Sequence, residues 1–196
     1  MRRSRAGKAD KEPAAAPYVL PATVSRAALL DGGSDGRFRT LVADLFTIST
    51  RMELVREHLG RRMGISAPQY SLVVAVAHLQ GRNGLSVGAL AQALHVTSAF
   101  VASETGKLAR RGLLLKRPNP LDGRGMLLSV APAGRLAVDR VSAEIRAVND
   151  LFFGALDGAS FAALSAAARA LIEGSEKAVR YIDSAKGTPQ VLRKAG

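Results

Sequence analysis

The chain of 196 residues contains no cysteine. That absence excludes disulfides, thiolate metal sites and thiol-based redox sensing, so any signal must reach the protein by another route. Histidine is scarce too: the three, His58, His78 and His95, are scattered without metal-ligand spacing. There is no nucleophile elbow, and no glycine-rich phosphate loop follows a predicted strand. The sequence therefore points away from an enzyme and calls for no cofactor. Long apolar runs are also missing. A stretch such as Leu72 to Leu79 falls far short of the ~20 residues a membrane span needs, and the N-terminal charges are not followed by a segment of signal-peptide type. These features predict a soluble, cytoplasmic protein.

Acidic residues are in short supply. The 16 Asp and Glu face 28 Lys and Arg, a formal net charge of +12. So basic a balance favours a polyanion, because neutralising phosphates releases condensed counterions and draws the protein in over long range. Nucleic acid heads the possible partners.

The pattern along the chain predicts five segments. Residues 1–17 mix Arg, Lys, Ala and Pro without periodicity and read as a disordered basic arm. Tyr18 to Leu30 is mildly apolar and suited to packing on a partner subunit; a turn-rich run, Asp31 to Gly36, follows. Leu41, Leu45, Ile48, Met52, Val55 and Leu59 then mark one apolar stripe on a long helix, closing the segment 18–64. Ser66 and Pro68 open a second helix, Ser86 caps a short third one, and Thr97 or Ser98 caps a fourth that ends at Arg110-Arg111-Gly112. In the fourth helix Val101, Thr105 and Leu108 face inward. Two short helices joined by a tight corner at His95-Val96 describe a helix-turn-helix. Two apolar-rich runs, Leu113 to Arg117 and Met126 to Val130, flank the polar loop Pro118 to Gly125 and form a wing, completing a lobe over 65–131. Beyond Pro132, two more amphipathic helices separated by Gly154 to Gly158 carry more apolar surface than the lobe needs. They predict a helical dimerisation layer over 132–185 and a flexible tail over 186–196. The fold class is mainly α with a small β-hairpin.

A helix enters a major groove only if its outward face is slim and polar. On the fourth helix Thr97, Ser98, Ala99, Ala102, Ser103 and Lys107 meet that condition, with Ser86 at the preceding cap. Hydroxyls reach phosphates or base edges, alanine meets a thymine methyl and lysine holds a phosphate. Between His95 and Gly125 six cations (Lys107, Arg110, Arg111, Lys116, Arg117 and Arg124) stand against two acids, Glu104 and Asp122. Arg124 is placed to enter a minor groove; the alternative is a pair with Asp122 that steadies the hairpin.

Ile65-Ser-Ala-Pro-Gln-Tyr70, Leu85 to Leu94, Lys107 to Leu113, Asn119 to Arg124 and Leu128 to Gly134 resemble, in order and spacing, the MarR family of bacterial regulators. The resemblance implies a homodimer on a pseudo-palindromic duplex site, and a repressor released by a small aromatic or phenolic acid or its thioester. It matches Ser98, Ser103 and Lys107 to recognition-helix positions and Arg124 to the wing-tip arginine. Two departures stand out: Ala102-Ser103 where the family often has Thr-Arg, and Asp122-Gly-Arg124 where it has Asp-Arg-Arg. For the ligand, Arg51, His58 and Tyr70 are candidates to supply a carboxylate partner and an aromatic wall. The rival reading is a winged helix that binds a partner protein instead of specific DNA.

Overall fold

The structure is a computed structural model that describes residues 18–120 and 122–186. The expected basic arm, residues 1–17, and nearly all of the expected tail lie outside that range. The chain divides into two compact units, residues up to Leu54 and residues from Val55 onward.

The described residues of the first unit hold a 3-10 turn, Ala27–Leu29, and most of helix α1, Gly36–Arg62. The Asp31–Gly36 run is a tight turn, as its composition predicts: Asp31 and Ser34 exchange backbone hydrogen bonds of 2.8 and 2.9 Å. Asp35, buried at the start of α1, accepts hydrogen bonds from the Thr23 backbone N–H and hydroxyl, both at 2.7 Å, and pairs with Arg39 at 2.8 Å. These donors, the Thr23 N–H foremost, hold its carboxyl below the usual carboxylate range. The stripe residues Leu41, Leu45, Ile48 and Met52 stay exposed.

In the second unit the last turns of α1 lead into α2, Ala67–Leu79. The corner between them is a Schellman turn: Ile65 N–H donates to Gly60 O at 2.8 Å and Gly64 N–H to Arg61 O at 3.0 Å. Ser66 then starts α2 with a full capping box closed by Gln69. Strand β1, Leu85–Ser86, runs into α3, Val87–Ala93, and α4 follows at Ser98–Arg110. The wing strands are β2, Leu114–Asn119, and β3, Asp122–Val130; helices α5, Pro132–Phe153, and α6, Gly158–Lys186, complete the described residues.

The helical periodicity survives as packing. Leu72, Val73, Val76, Leu90, Val101, Leu108, Leu114 and Leu128 are almost wholly excluded from solvent and form one core beneath α2, α3, α4 and the sheet. Burying each such side chain stabilises by roughly 1.5–3 kcal/mol. Thr105, predicted to face inward, is fully buried; its hydroxyl donates to Val101 O at 2.6 Å, so no polar group is stranded.

The sheet differs from the sequence expectation in two ways. It has three strands in the order β1-β3-β2, all antiparallel, because Leu85 and Ser86 pair with Leu128 and Leu127. The wing strands also run into the segment expected as loop, reaching Asn119 and restarting at Asp122, with a register shift between Pro118 and Asn119. Pro118 is tolerated because β2 is an edge strand and loses no inner ladder bond.

No single helix among the described residues is long and apolar enough to cross a membrane. Helix α6 buries none of its described side chains and exposes Phe161, Leu164, Leu171, Ile172, Val179 and Ile182. A monomeric helix with such a face is unfinished by itself.

Candidate nucleic-acid interface

The corner between α3 and α4 sets the angle of the helix-turn-helix. Ser86 caps α3 by accepting from Ala89 N–H at 3.1 Å. At its other end Val96 N–H bonds Ala91 O at 3.0 Å and His95 N–H bonds Gln92 O at 3.2 Å, again a Schellman turn. His95 takes the left-handed position of that turn at φ 52°, where glycine is usual. Of the two cap candidates the structure uses Thr97, whose hydroxyl accepts from Phe100 N–H at 3.2 Å; Ser98 is the first helical residue. At the far end Gly112, φ 71°, turns the chain into the wing.

With Val101, Thr105 and Leu108 turned into the core, Ser98, Ala99, Ala102, Ser103, Lys107 and Arg110 are exposed on α4. These six side chains face solvent. On the wing, Arg117 is exposed and Lys116 half-buried on β2. Arg124 lies on β3, and its side chain is outside what the structure describes.

Two of these cations are already engaged within the chain. Arg117 donates to Asn83 O at 2.6 Å, joining the outer wing strand to the loop that precedes β1 on the other side of β3. Lys107 pairs with Glu104 at 2.5 Å, and Glu104 also accepts from Gln69 at 2.9 Å. Lys107 first and Gln69 second keep the Glu104 carboxyl below the usual range. Sequence reasoning counted Glu104 only as a charge. Its i,i+3 spacing from Lys107 was a signal for the pair, whereas nothing local announced Gln69.

The three ligand candidates have different surroundings. Tyr70 is buried in the core, which pushes its phenol pKa up. His58 lies 2.6 Å from Glu144 on α5, and Arg62 reaches the same carboxylate at 3.1 Å. These two partners, His58 foremost, lower the Glu144 pKa. Arg51 is exposed on the part of α1 that belongs to the first unit. A separate cleft of about 250 Å³ is lined by Arg56, Pro68, Ser71, Leu72, Leu94, Val96 and Phe100. There Arg56 Nη1 lies 3.5 Å from Ser71 Oγ, against otherwise apolar walls. Among the described residues no group of His, Cys, Asp and Glu could hold a metal ion.

Residues 63–125, which contain the helix-turn-helix and most of the wing, match the model of the MarR family. Over that segment the chain is similar to the MarR family. Among solved structures the chain is similar to Sco3205, a MarR family transcriptional regulator from Streptomyces coelicolor in complex with DNA. Identity is 20% with a TM-score of 0.63, over 71% of this chain and 88% of that one. The transcriptional regulator SlyA matches at 11% identity and a TM-score of 0.61, over 72% of this chain and 98% of that one. The PcaV regulator from Streptomyces coelicolor, solved with its natural ligand, matches at 25% identity and a TM-score of 0.51, over 65% of this chain and 90% of that one. No curated protein sequence matches.

Proposed function

We propose that this chain is a MarR-type homodimeric, sequence-specific regulator of double-stranded DNA in the cytoplasm, a repressor that leaves its operator when a small aromatic or phenolic acid, or its thioester, binds. The observation that carries the DNA reading is the slim polar face of α4, with Ser98, Ala99, Ala102 and Ser103 exposed beside a cationic wing. Such a face fits a major groove, and the exposed Phe100 of α4 lines the separate cleft instead. In this reading Ser98 and Ser103 face bases or phosphates, Ala99 and Ala102 allow close approach, and Lys107, Arg110 and Lys116 meet backbone phosphates. Arg124 enters the neighbouring minor groove. Ser86, Thr97 and Arg117 set the elements and lie near phosphates.

The exposed apolar rows of α6, and separately of α1, support a second copy of the chain as partner. Two lobes related by a twofold axis would read half-sites about one helical turn apart. For the effector, the cleft beside Arg56 and Ser71 supplies a cation, a hydroxyl and apolar walls, which suits a small aryl carboxylate. Leu94, Val96 and Phe100 line it, so an occupant there touches the corner that sets the angle of α4. His58 and Tyr70, on the same two helices, and Arg51 remain the candidates nominated by sequence.

The test is fragment selection from genomic DNA with the full chain, followed by titration of a selected duplex at several salt concentrations, with sedimentation of the free protein. A dimer whose affinity falls linearly in log–log form with salt is the expected result. A monomer, or a protein that binds no duplex in dilute buffer, overturns the proposal; salt-insensitive capture of another protein would favour the rival protein-binding reading. Arg124→Ala should weaken operator binding and Arg56→Ala should abolish release by aryl acids. A parental response in either variant removes that residue from its role.

A further inference from the structure

Helix α4 carries a single acid, Glu104, on a helix proposed to face a polyanion. Its side chain is 14% exposed, against 50% for Lys107, so the carboxylate sits at the edge of the α4–α2 contact. Each carboxylate oxygen has its own partner: Oε1 accepts from Lys107 Nζ at 2.5 Å and Oε2 from Gln69 Nε2 at 2.9 Å. Gln69 is itself fixed, because its Oε1 accepts from Ser66 N–H at 3.3 Å and its N–H donates to Ser66 Oγ at 3.4 Å. A continuous polar chain thus runs from the first turn of α2 through Glu104 to the last turn of α4. A carboxylate near phosphates opposes binding, so it needs a compensating role.

We propose that Glu104 is a specificity-determining residue, which holds Lys107 back from phosphates and tethers α4 to α2, so that the lysine reaches the backbone only on duplexes whose base contacts draw the helix fully into the groove. This rests on the DNA reading above. The physical basis is that discrimination is the ratio of specific to non-specific affinity, and every cation that grips phosphate on any sequence raises the denominator. Gln69 contributes rigidity: with its other atoms committed to the α2 cap, it keeps the carboxylate at the foot of Lys107 instead of letting the pair swing into solvent.

The test compares the full-length parent, Glu104→Gln, Lys107→Met and the double variant on the selected operator and on a random duplex of equal length. Glutamine keeps an oxygen for Gln69 but loses its charge, so thermal unfolding should stay near that of the parent. Its binding to random duplex should tighten severalfold at low salt. One more phosphate contact steepens the salt slope by about 0.9, an extra loss of roughly 3.5-fold in affinity between about 50 and 200 mM salt. The operator-to-random ratio should fall accordingly. In the Lys107→Met background the gain should vanish, and Lys107→Met alone should weaken operator binding while leaving random binding unchanged. A gain that persists without Lys107 reduces Glu104 to through-space repulsion and overturns the proposal, as does unaltered random binding by Glu104→Gln. A parent that binds no duplex is a distinct outcome, which sinks the DNA reading itself.

Discussion

Gly134→Ala should destabilise the protein, although alanine is the better helix former. Gly134 is buried in the first turn of α5, where that helix leaves the wing. An added Cβ would lie 2.1 Å from Leu113 O and 3.0 Å from both Leu113 C and Val130 Cγ1. Relief to an ordinary contact requires a shift on the order of 1 Å between two backbone segments, since neither obstacle at Leu113 is a flexible side chain. That shift also stretches the hydrogen bond from Ala131 N–H to Leu113 O, now 3.1 Å. Overpacking of this kind costs about 3 kcal/mol and the weakened bond about 1 kcal/mol more. Removing glycine from a helix returns only about 1 kcal/mol. The net loss is therefore roughly 3 kcal/mol, or about 6–12 °C in Tm for a chain of this size. Thermal and urea unfolding followed by circular dichroism, at one protein concentration, reads it. Gly106→Ala in α4 is the matched control, because its added Cβ meets only the end of the Arg110 side chain at 3.8 Å. That variant should gain up to about 1 kcal/mol. A Gly134→Ala protein as stable as its parent would refute the close-approach reasoning.

Thr97→Ala removes the cap of α4 and should cost about 1 kcal/mol, with Thr97→Ser restoring most of it; equal loss in both variants would show that the hydroxyl is not what matters. Leu108→Ala opens a cavity in the fully buried core and should cost about 2–5 kcal/mol by urea unfolding, a loss under 1 kcal/mol being incompatible with the packing described. Arg117→Ala should speed amide exchange in β1 and the wing by freeing Asn83 O, and protection equal to the parent's would mean the contact does not hold the sheet together. Glu144 has a depressed pKa, due first to His58 and then to Arg62, so its contribution to stability is present in full above the ordinary glutamate range and is lost as pH falls through the lowered value. Glu144→Gln should flatten that acid limb, and a parent and variant with parallel pH profiles would exclude the linkage.

What could be read from the amino-acid order alone was whatever neighbours within a turn or two decide. The inward set Val101, Thr105 and Leu108 follows from helical period, and all three are buried. Ser66 and Ser86 announce helix starts through hydroxyls that satisfy nearby N–H groups, and Gly112 announces an end because the left-handed corner suits a residue without Cβ. The wing was legible as two apolar runs and less so in its extent: Pro118 and the glycines argued for loop, and only the edge position of β2 makes the extended strand acceptable. Strand β1 carried no signal, since two residues have no period and their pairing with Leu127 and Leu128 is a long-range event.

The engagement of the charges belonged to tertiary structure. Glu104 meets Gln69 across 35 positions, Arg117 meets Asn83 across 34 and His58 meets Glu144 across 86. Composition counts those groups as free charge. Which cation is restrained and which is available to a polyanion depends on which backbone segments folding brings within 3 Å of one another, and that information is spread over the whole core rather than held in any local run of residues.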